Sequence, residues 1–197
     1  VDLLERVALQ GEAVGKALTN LTSRSNVREA VVLSTCNRTE IYAIAERYHG
    51  AYADIHEFLA ELSGLHTAEL SKHLYSAHDH DAVQHLFAVA AGLESAVVGE
   101  SEILGQVHQA WNTAHQHGSA RAGLTLLFRH AIETGKRVRT ETAIGRGTAS
   151  VSHAAVEMAA DILSGGDVSA PLRGVRATVL GAGEMGDVDP GVFGEVA

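Results

Sequence analysis

The spacing of apolar and polar residues predicts a short β-hairpin near the start of the chain. Residues 3–20 carry apolar side chains at helical spacing and are predicted to form one helix. The runs 27–35 and 40–46 are rich in Val, Ile and Tyr, which favour strands. Because only the loop 36–39 separates these two runs, we expect them to pair as a hairpin.

The remaining apolar segments predict helices around this hairpin. Helical spacing is found at 53–64, 79–93 and 100–165. Asp79 and Asp81 are both candidates for the N-cap of the second of these helices, and the segment 72–77 is a candidate short strand. This order of elements favours an α+β fold in which a small sheet is covered by helices on one face.

One helical segment, 123–141, separates an apolar face from a basic face. The apolar positions that share a face are Leu124, Leu127, Phe128, Ala131, Gly135 and Val138. The basic positions on the other side are Arg129, Lys136, Arg137 and Arg139. The stretch 121–146 holds six basic and two acidic residues, although the whole chain has a net charge of −9. A solvated helix face and a surface for a phosphate backbone both stay open.

Composition narrows the class of protein. The hydrophobic content of 46% and the charged content of 20% are those of a folded domain rather than of a disordered chain. The apolar runs are too short to span a membrane, and the acidic net charge argues against general nucleic-acid binding. The amphipathic N-terminus is not typical of a signal peptide, and a single cysteine cannot form an internal disulfide. We therefore expect a reducing, cytoplasmic location.

The single cysteine, Cys36, lies in the predicted hairpin loop among polar residues. Its neighbours include Thr35, Asn37 and Arg38. A nearby cation favours the thiolate, which is the reactive form of cysteine, and an arginine fork can also bind a carboxylate through two parallel hydrogen bonds. A lone cysteine can equally be a small buried hydrophobe at the end of a strand. The residues alone leave both the nucleophile and the buried thiol open.

A glycine-rich turn near the C-terminus follows an apolar predicted strand. The sequence GAGEMG at 181–186 places Gly181, Gly183 and Gly186 where a dinucleotide-binding turn needs small residues beside a pyrophosphate. Only eleven residues follow Gly186, so we expect the dinucleotide-binding domain to be incomplete in this sequence. The twelve histidines have no spacing typical of a metal site, and no metal is expected.

Four segments together resemble the glutamyl-tRNA reductase family. They are STCNRTEIY at 34–42, HLFAVAAGLESAVVGESEILGQV at 85–107, GKRVRTETAIGRGTASVSHAAVEMA at 135–159 and VLGAGEMG at 179–186. The resemblance implies an α+β catalytic domain at 1–140, then a linker helix and the start of a Rossmann-type NADPH-binding domain at 141–197. It also implies NADPH-dependent reduction of glutamyl-tRNA to glutamate-1-semialdehyde through a cysteine thioester, the first step of the five-carbon tetrapyrrole (porphyrin and haem) pathway.

The resemblance also implies roles for individual residues. Cys36 is the implied nucleophile, and His85 is implied as a second catalytic residue in the same pocket. The residues implied to hold the glutamyl group are Thr35, Arg38, Ser95 and Gln106. Those implied for NADPH are Gly181, Gly183 and Gly186, and those implied for tRNA are Arg129, Lys136, Arg137 and Arg139. A homodimer is implied for the full-length enzyme, with the aminomutase that consumes the aldehyde as a candidate partner.

Departures from the family pattern keep other functions open. Members usually begin with a strand that this sequence lacks, and DVDP at 187–190 directly follows the glycine turn instead of lying deep in the NADPH domain. We therefore expect a fragment or a chain that lacks an internal stretch. A truncated form that only binds or deacylates glutamyl-tRNA is the main alternative. A cysteine hydrolase, a thiol-dependent aldehyde dehydrogenase and a non-catalytic tRNA-binding module are further alternatives.

Overall fold

A two-stranded antiparallel hairpin packed among helices forms the described part of the chain. The computed structural model describes residues 2–144 and 158–163, and the second of these ranges is helical. The strands are β1 (Val27–Ser34) and β2 (Thr39–Ala45). The helices within residues 2–144 are α1 (Asp2–Val7), α2 (Glu12–Ser23), α3 (Tyr48–Ser63), α4 (Thr67–Leu70), α5 (Asp79–Ala91), α6 (Glu102–Gln116) and α7 (Ala122–Glu141). The predicted α+β class is confirmed for this part, whereas the predicted Rossmann start lies outside the described residues.

Strand β1 lies at the centre of the structure. Residues 30–33 are all buried. Because successive side chains of a strand point to opposite faces, both faces of β1 are covered. Helices α2 and α6 pack against it. The expectation that helices cover only one face of the sheet is therefore wrong for β1, whose unbroken apolar run is typical of a strand buried on both faces.

Apolar side chains from the surrounding helices complete the core around β1. The largest of those that are fully buried are Leu18 and Leu21 in α2, Leu70 in α4, Leu86 and Val89 in α5, Val107 in α6 and Phe128 in α7. Phe128 meets the ring of Tyr42 edge to face, with ring centroids 5.3 Å apart. Gly135 allows α7 to approach α5 closely, because a Cβ there would lie 2.5 Å from the carbonyl oxygen of Ala90. The apolar face predicted for 123–141 thus packs on this core.

A buried carboxylate of β1 caps the N-terminus of α7. The backbone N–H groups that donate to Glu29 belong to Arg121 (2.8 Å), Gly123 (3.2 Å) and Leu124 (2.9 Å). Arg121, at the N-cap position, makes no side-chain cap bond of its own. Glu29 therefore replaces a local cap, and its negative charge lies at the positive end of the helix dipole. This contact fixes the start of α7 against the hairpin.

The predicted helix at 3–20 is wrong, because the chain breaks between α1 and α2. The backbone N–H of Leu9 donates to Ser34 Oγ (3.0 Å) instead of to a helical carbonyl. Gly11 has a φ of 54°, which no right-handed helix includes. Apolar spacing continues through the break because both helices pack on the same core, so the periodicity does not reveal it.

The predicted strand at 72–77 is also wrong. The N–H of Ser71 donates to the carbonyl of Thr67, and the N–H of His73 donates to the carbonyl of Leu70. Backbone groups at the start of this segment therefore bond within the turn after α4 instead of to a neighbouring strand. The chain then continues without regular structure to residue 78.

Other helix boundaries differ from the predictions as well. The N-cap of α5 is His78, without a side-chain cap bond, and Asp79 and Asp81 lie in the first helical turn. The region 100–165, predicted to be helical throughout, is interrupted at 117–121, where Ala30 of β1 donates its N–H to the carbonyl of Ser119. None of the helices in the described ranges is both long and apolar enough to cross a membrane.

Replacing the tertiary cap should weaken the fold. We expect Glu29→Gln to lower the free energy of unfolding by about 1–3 kcal/mol, because the α7 N–H groups lose a charged acceptor in a buried place. Urea denaturation followed by circular dichroism measures this change. The exposed Glu12, in the first turn of α2, supplies the matched control. Glu12→Gln should change the free energy by less than about 0.5 kcal/mol, and equal effects of the two variants would contradict the cap.

Candidate active site

The loop that joins β1 to β2 presents Cys36 to solvent. It spans residues 35–38, one position earlier than predicted, and the N–H of Thr35 donates to the carbonyl of Arg38 (2.8 Å) across its base. The N–H of Asn37 donates to Thr35 Oγ1 (3.2 Å), which stabilises the turn from inside. Cys36 is an exposed free thiol. The interpretation of Cys36 as a small buried hydrophobe is therefore excluded, and its thiol is accessible from solvent.

The base of the loop is held by side-chain contacts on the strand ends. Ser34 Oγ and Thr39 Oγ1 lie 3.1 Å apart, within hydrogen-bond distance, on paired residues of the hairpin. Ser34 Oγ also accepts the N–H of Leu9 from the break between α1 and α2. These contacts tie the N-terminal segment to the strand that positions Cys36.

A small cleft, open to solvent, lies beside the hairpin loop. Its walls come from this loop, from residues 92–101, called here the cleft loop, and from the first turns of α6. The sequence-predicted residues that line it are Thr35, Cys36, Arg38, Ser95 and Gln106. Segments far apart in the sequence thus meet at one place, and the roles implied for their residues stay predictions.

Arg38 joins the hairpin to the cleft loop. Its Nη1 donates to Glu40 Oε1 (3.1 Å), and its Nη2 donates to the carbonyl oxygen of Glu94. The side chain is only 16% exposed. Arg38 immediately precedes β2, and Glu40 lies within it two positions later. Their side chains therefore point to the same side of the strand. The guanidinium is therefore held at the cleft by contacts from both walls.

Glu40 is the acceptor at the centre of a polar cluster beneath Arg38. The hydroxyl of Tyr42 donates to its Oε2 (2.6 Å), and the hydroxyl of Tyr75 donates to its Oε1 (3.1 Å). His85 Nε2 lies 3.0 Å from the same Oε1. Burial acts to raise the pKa of Glu40, but the bonds from Tyr42 and His85 and the charges of His85 and Arg38 outweigh it. The pKa of Glu40 therefore lies below its ordinary value.

The two tyrosines of this cluster keep their protons. Burial, followed by the charge of Glu40, raises the pKa of Tyr42 far above the ordinary value. The same causes raise the pKa of Tyr75 to about 12. Both hydroxyls consequently remain hydrogen-bond donors to the carboxylate across the physiological pH range. They hold Glu40 in a fixed orientation toward Arg38.

His85 lies in this cluster and is not part of the cleft lining. It belongs to α5 and contacts Glu40 and the hydroxyl of Tyr75, which is 3.4 Å away. Its connection to the Cys36 side of the site therefore runs through Glu40 and Arg38. The direct catalytic role implied for His85 stays a prediction, and the geometry of the described residues gives it a place behind Arg38.

The cleft loop and α6 are joined by a second buried carboxylate. The N–H groups of Glu102 (2.6 Å) and Ile103 (2.9 Å) donate to Glu100. Ser95 Oγ donates to Glu100 Oε1 (3.3 Å). Glu100 thus caps α6, which carries Gln106, and also holds Ser95 at the cleft.

Sequence reasoning missed Glu40, Tyr75 and Glu100. For Glu40 a signal existed, because alternation along β2 places it on the side of Arg38. For Glu100 the signal was an acidic residue at the start of a predicted helical segment. No local signal could have found Tyr75, whose contacts depend on the irregular segment after α4.

The residues predicted to contact tRNA divide into two kinds. Arg129 and Lys136 are exposed on α7. Arg137 is exposed too, but it donates from Nε and Nη2 to Glu141 (3.0 and 3.2 Å). Arg139 instead donates to backbone carbonyls of the cleft loop. The tRNA-binding role stays a prediction for all four residues.

The remaining site predictions concern a cofactor and a metal. Gly181, Gly183 and Gly186, predicted for NADPH, lie outside the described residues. Within the described ranges, no three His, Cys, Asp or Glu side chains are grouped so that they could hold a metal ion.

The lowered pKa of Glu40 predicts a pH dependence of stability. In the unfolded chain its ordinary value of 4.5 applies, so at mildly acidic pH the unfolded state binds more protons than the folded state. The contribution of Glu40 is complete above that value and is lost as the pH falls through the folded-state pKa. We expect the difference in unfolding free energy between wild type and Glu40→Gln to shrink as the pH falls below 4.5. Urea titrations over a pH series measure it, and a difference that grows on acidification would contradict this.

Comparison with known proteins supplies the context of this site. The family model for the N-terminal domain of glutamyl-tRNAGlu reductase matches residues 1–142. The glutamyl-tRNA reductase of Frankia alni is 40% identical over 94% of this chain and 46% of its own length, and that of a Synechococcus species is 42% identical over 94% and 44%.

A solved structure agrees with these matches. Glutamyl-tRNA reductase from Methanopyrus kandleri is 37% identical, with a TM-score of 0.62, over 82% of this chain and 36% of that chain. The chain thus spans less than half the length of these relatives. It belongs to the glutamyl-tRNA reductase family, and residues 1–142 correspond to the N-terminal domain of that family.

Proposed function

We propose that this domain accepts the glutamyl group of glutamyl-tRNA on Cys36 as a thioester. This step belongs to the NADPH-dependent reduction of glutamyl-tRNA to glutamate-1-semialdehyde, at the start of tetrapyrrole synthesis. The observation that carries the proposal is the exposed thiol of Cys36 in a cleft shared with Arg38, Ser95 and Gln106, in a chain of this family.

Arg38 is the proposed reader of the glutamyl side chain. Its guanidinium lines the cleft, and its bonds to Glu40 and to the Glu94 carbonyl fix its orientation. These bonds use only part of its five N–H donors, so donors remain for a substrate carboxylate. Glu100, in the same lining, matches in sign the α-ammonium group of an aminoacyl ester. The α-ammonium is common to all aminoacyl esters, so it is Arg38 that favours a glutamyl ester over one with an uncharged side chain.

The acyl transfer needs only a thiolate and a leaving alcohol. The Cys36 thiolate attacks the ester carbonyl, and a bond forms between Sγ and that carbon. The bond from carbon to the ribose oxygen of the tRNA then breaks, and this oxygen takes a proton from water, which balances the proton that the thiol released when it became a thiolate. The products are the glutamyl thioester and free tRNA. A thioester donates less electron density to its carbonyl than an oxygen ester does, so it accepts a hydride more readily.

NADPH would supply that hydride when bound at the predicted glycine turn. The part of the reaction that the described residues support is the binding of the glutamyl group and its transfer to Cys36. Reduction by the whole protein is proposed from family membership and from the glycine turn in the sequence. This reduction is tested by following the loss of NADPH absorbance at a fixed glutamyl-tRNA concentration while the aldehyde product is measured.

A deacylating module is the second candidate, and the open cleft favours it. Because the cleft is open to solvent, water can reach a thioester on Cys36. Hydrolysis would then release glutamate and regenerate the thiol. Product analysis separates the candidates, since a reductase gives the aldehyde and consumes NADPH, whereas a deacylating module gives glutamate. A cysteine hydrolase or aldehyde dehydrogenase of another family would act on small esters or aldehydes without tRNA.

The proposal includes the tRNA itself as a partner. Arg129 and Lys136 are exposed on one helix and can contact phosphates. The homodimer of the full-length enzyme, the aminomutase as partner and the cytoplasmic location stay predictions.

Removing the thiol should abolish acylation. We expect Cys36→Ser to form no detectable acyl-enzyme with glutamyl-tRNA, because a serine hydroxyl without an activating base is a far weaker nucleophile than a thiolate. Acid-quenched incubation with radiolabelled glutamyl-tRNA measures the yield. Since Cys36 is exposed, the variant should unfold at the same urea concentration as wild type. An unchanged acyl-enzyme yield would eliminate Cys36 as the nucleophile.

Changing the shape of the cation while keeping its charge should weaken recognition. We expect Arg38→Lys to slow acylation by roughly 10–100-fold at subsaturating substrate, because lysine cannot hold Glu40 and bind a carboxylate with a planar fork. Single-turnover acylation measures the rate. Arg47, an exposed arginine at the start of α3, provides the control. If Arg38→Lys acylates as fast as Arg47→Lys, Arg38 does not read the carboxylate.

A further inference from the structure

Arg139 leaves the basic face of α7 and reaches the cleft loop. Its Nη1 donates to the carbonyl of Gly99 (3.0 Å), and its Nη2 donates to the carbonyl of Glu100. Its Nε is buried and has no hydrogen-bond partner among the described residues. Two nitrogens of the guanidinium fork thus bond to consecutive carbonyls of one loop. This side chain differs from Arg129 and Lys136, which are exposed on the same helix.

Two glycines of the cleft loop, Gly92 and Gly99, meet next to this guanidinium. The N–H of Gly99 donates to the carbonyl of Gly92 (2.8 Å), which closes a neck at the base of the loop. Both glycines have positive φ, 79° for Gly92 and 81° for Gly99. A Cβ on Gly92 would lie 3.1 Å from the Gly99 Cα and 3.3 Å from Arg139 Nη2. Arg139 therefore packs directly against the neck.

The neck is enclosed from a second side by the chain that follows α7. A Cβ on Gly99 would lie 2.3 Å from the carbonyl oxygen of Ile144. The C-terminal end of α7 and the residues just after it thus both contact the base of the cleft loop. The position of this base depends on where α7 ends.

The loop beyond this neck carries groups of the candidate active site. Ser95 lines the cleft, and the carbonyl of Glu94 accepts a hydrogen bond from Arg38. Glu100, next to the neck, holds Ser95 and caps α6. A rotation of the loop about its neck would displace these groups together. The orientation of the loop therefore decides whether Ser95 and Arg38 meet the same substrate.

We propose that Arg139 is a positioning residue, which clamps the neck of the cleft loop and thereby sets Ser95 and Arg38 for the glutamyl group. The role rests on the proposed function of Cys36 as acyl acceptor. We propose this role in place of the predicted contact between Arg139 and a tRNA phosphate. To bind a phosphate, the guanidinium would have to give up its bonds to two carbonyls and move its buried Nε into solvent. Arg139 acts through the loop and does not touch the reacting atoms.

The clamp can be tested apart from catalysis by hydrogen exchange. In Arg139→Lys, which keeps the charge but loses the planar fork, the hydrogen-bonded amides of Leu93, Gly99 and Glu100 should exchange about tenfold faster, because the neck loses bonds that hold it in place. Arg121→Lys, at the other end of α7, should leave exchange in these residues unchanged. Equal exchange in wild type and Arg139→Lys would overturn the clamp.

Kinetics then distinguish positioning from tRNA binding. Arg139→Lys should slow the single-turnover acylation of Cys36 about tenfold at saturating glutamyl-tRNA, while the Kd for tRNA and its salt dependence stay as in wild type. Arg129→Gln should instead weaken tRNA binding and lower its salt dependence, while hydrogen exchange in the cleft loop stays as in wild type. A phosphate-like pattern in Arg139→Gln, with weaker tRNA binding and wild-type exchange, would overturn the proposal.

The two arms also separate this inference from the proposed function. If wild type forms no acyl-enzyme at all, the proposed function fails, and the exchange arm still decides whether Arg139 clamps the loop. If acylation proceeds and Arg139→Lys changes neither exchange nor rate, only the positioning role fails. Should Arg139→Gln not fold, Arg139→Lys still decides the outcome, because it retains the charge and the aliphatic stem.

Discussion

The carboxylate of Glu29 at the start of α7 is the contact on which the arrangement of the site depends. It joins the strand that presents Cys36 to the helix that carries Arg139, through hydrogen bonds to three backbone N–H groups. A helix is stiff over twenty residues, so fixing one end of α7 also fixes the place of its other end. The hairpin and the cleft loop form two walls of one cleft. Both contact α7, so this helix sets their positions relative to each other. Close packing of Gly135 on α5 removes the remaining freedom of α7 to slide.

Charge at the site is arranged in layers behind the thiol. Arg38 lies at the cleft, Glu40 lies behind it, and Tyr42, Tyr75 and His85 surround Glu40. A buried carboxylate would be costly without partners, and here each partner is a donor supplied by a different element. This arrangement holds the Arg38 guanidinium in place at the cleft. It also explains why Tyr42 of β2, His85 of α5 and Tyr75 of the segment after α4 converge on Glu40, although none of the three lines the cleft.

Features that depend on local sequence could be predicted, whereas features that depend on tertiary contacts could not. The hairpin, the apolar face of α7 and the gathering of Thr35, Cys36, Arg38, Ser95 and Gln106 in one cleft followed from strand propensity, helical periodicity and the family resemblance. The break before α2 did not, because it depends on a hydrogen bond from Leu9 to Ser34. The direction of Arg139 could not be predicted either. Helical angle places it with the basic residues, but its long side chain bends toward carbonyls that only the folded cleft loop brings near.

The glycine neck separates the placement of the cleft loop from the sequence of its tip. Its closure uses backbone groups of Gly92 and Gly99, and the exposed tip residues Leu93, Ala96 and Val98 take no part in it. Substitutions at these tip positions can therefore accumulate during evolution without moving the base of the loop. The same property makes the tip a natural place for engineering, since its exposed side chains can be varied on an unchanged scaffold.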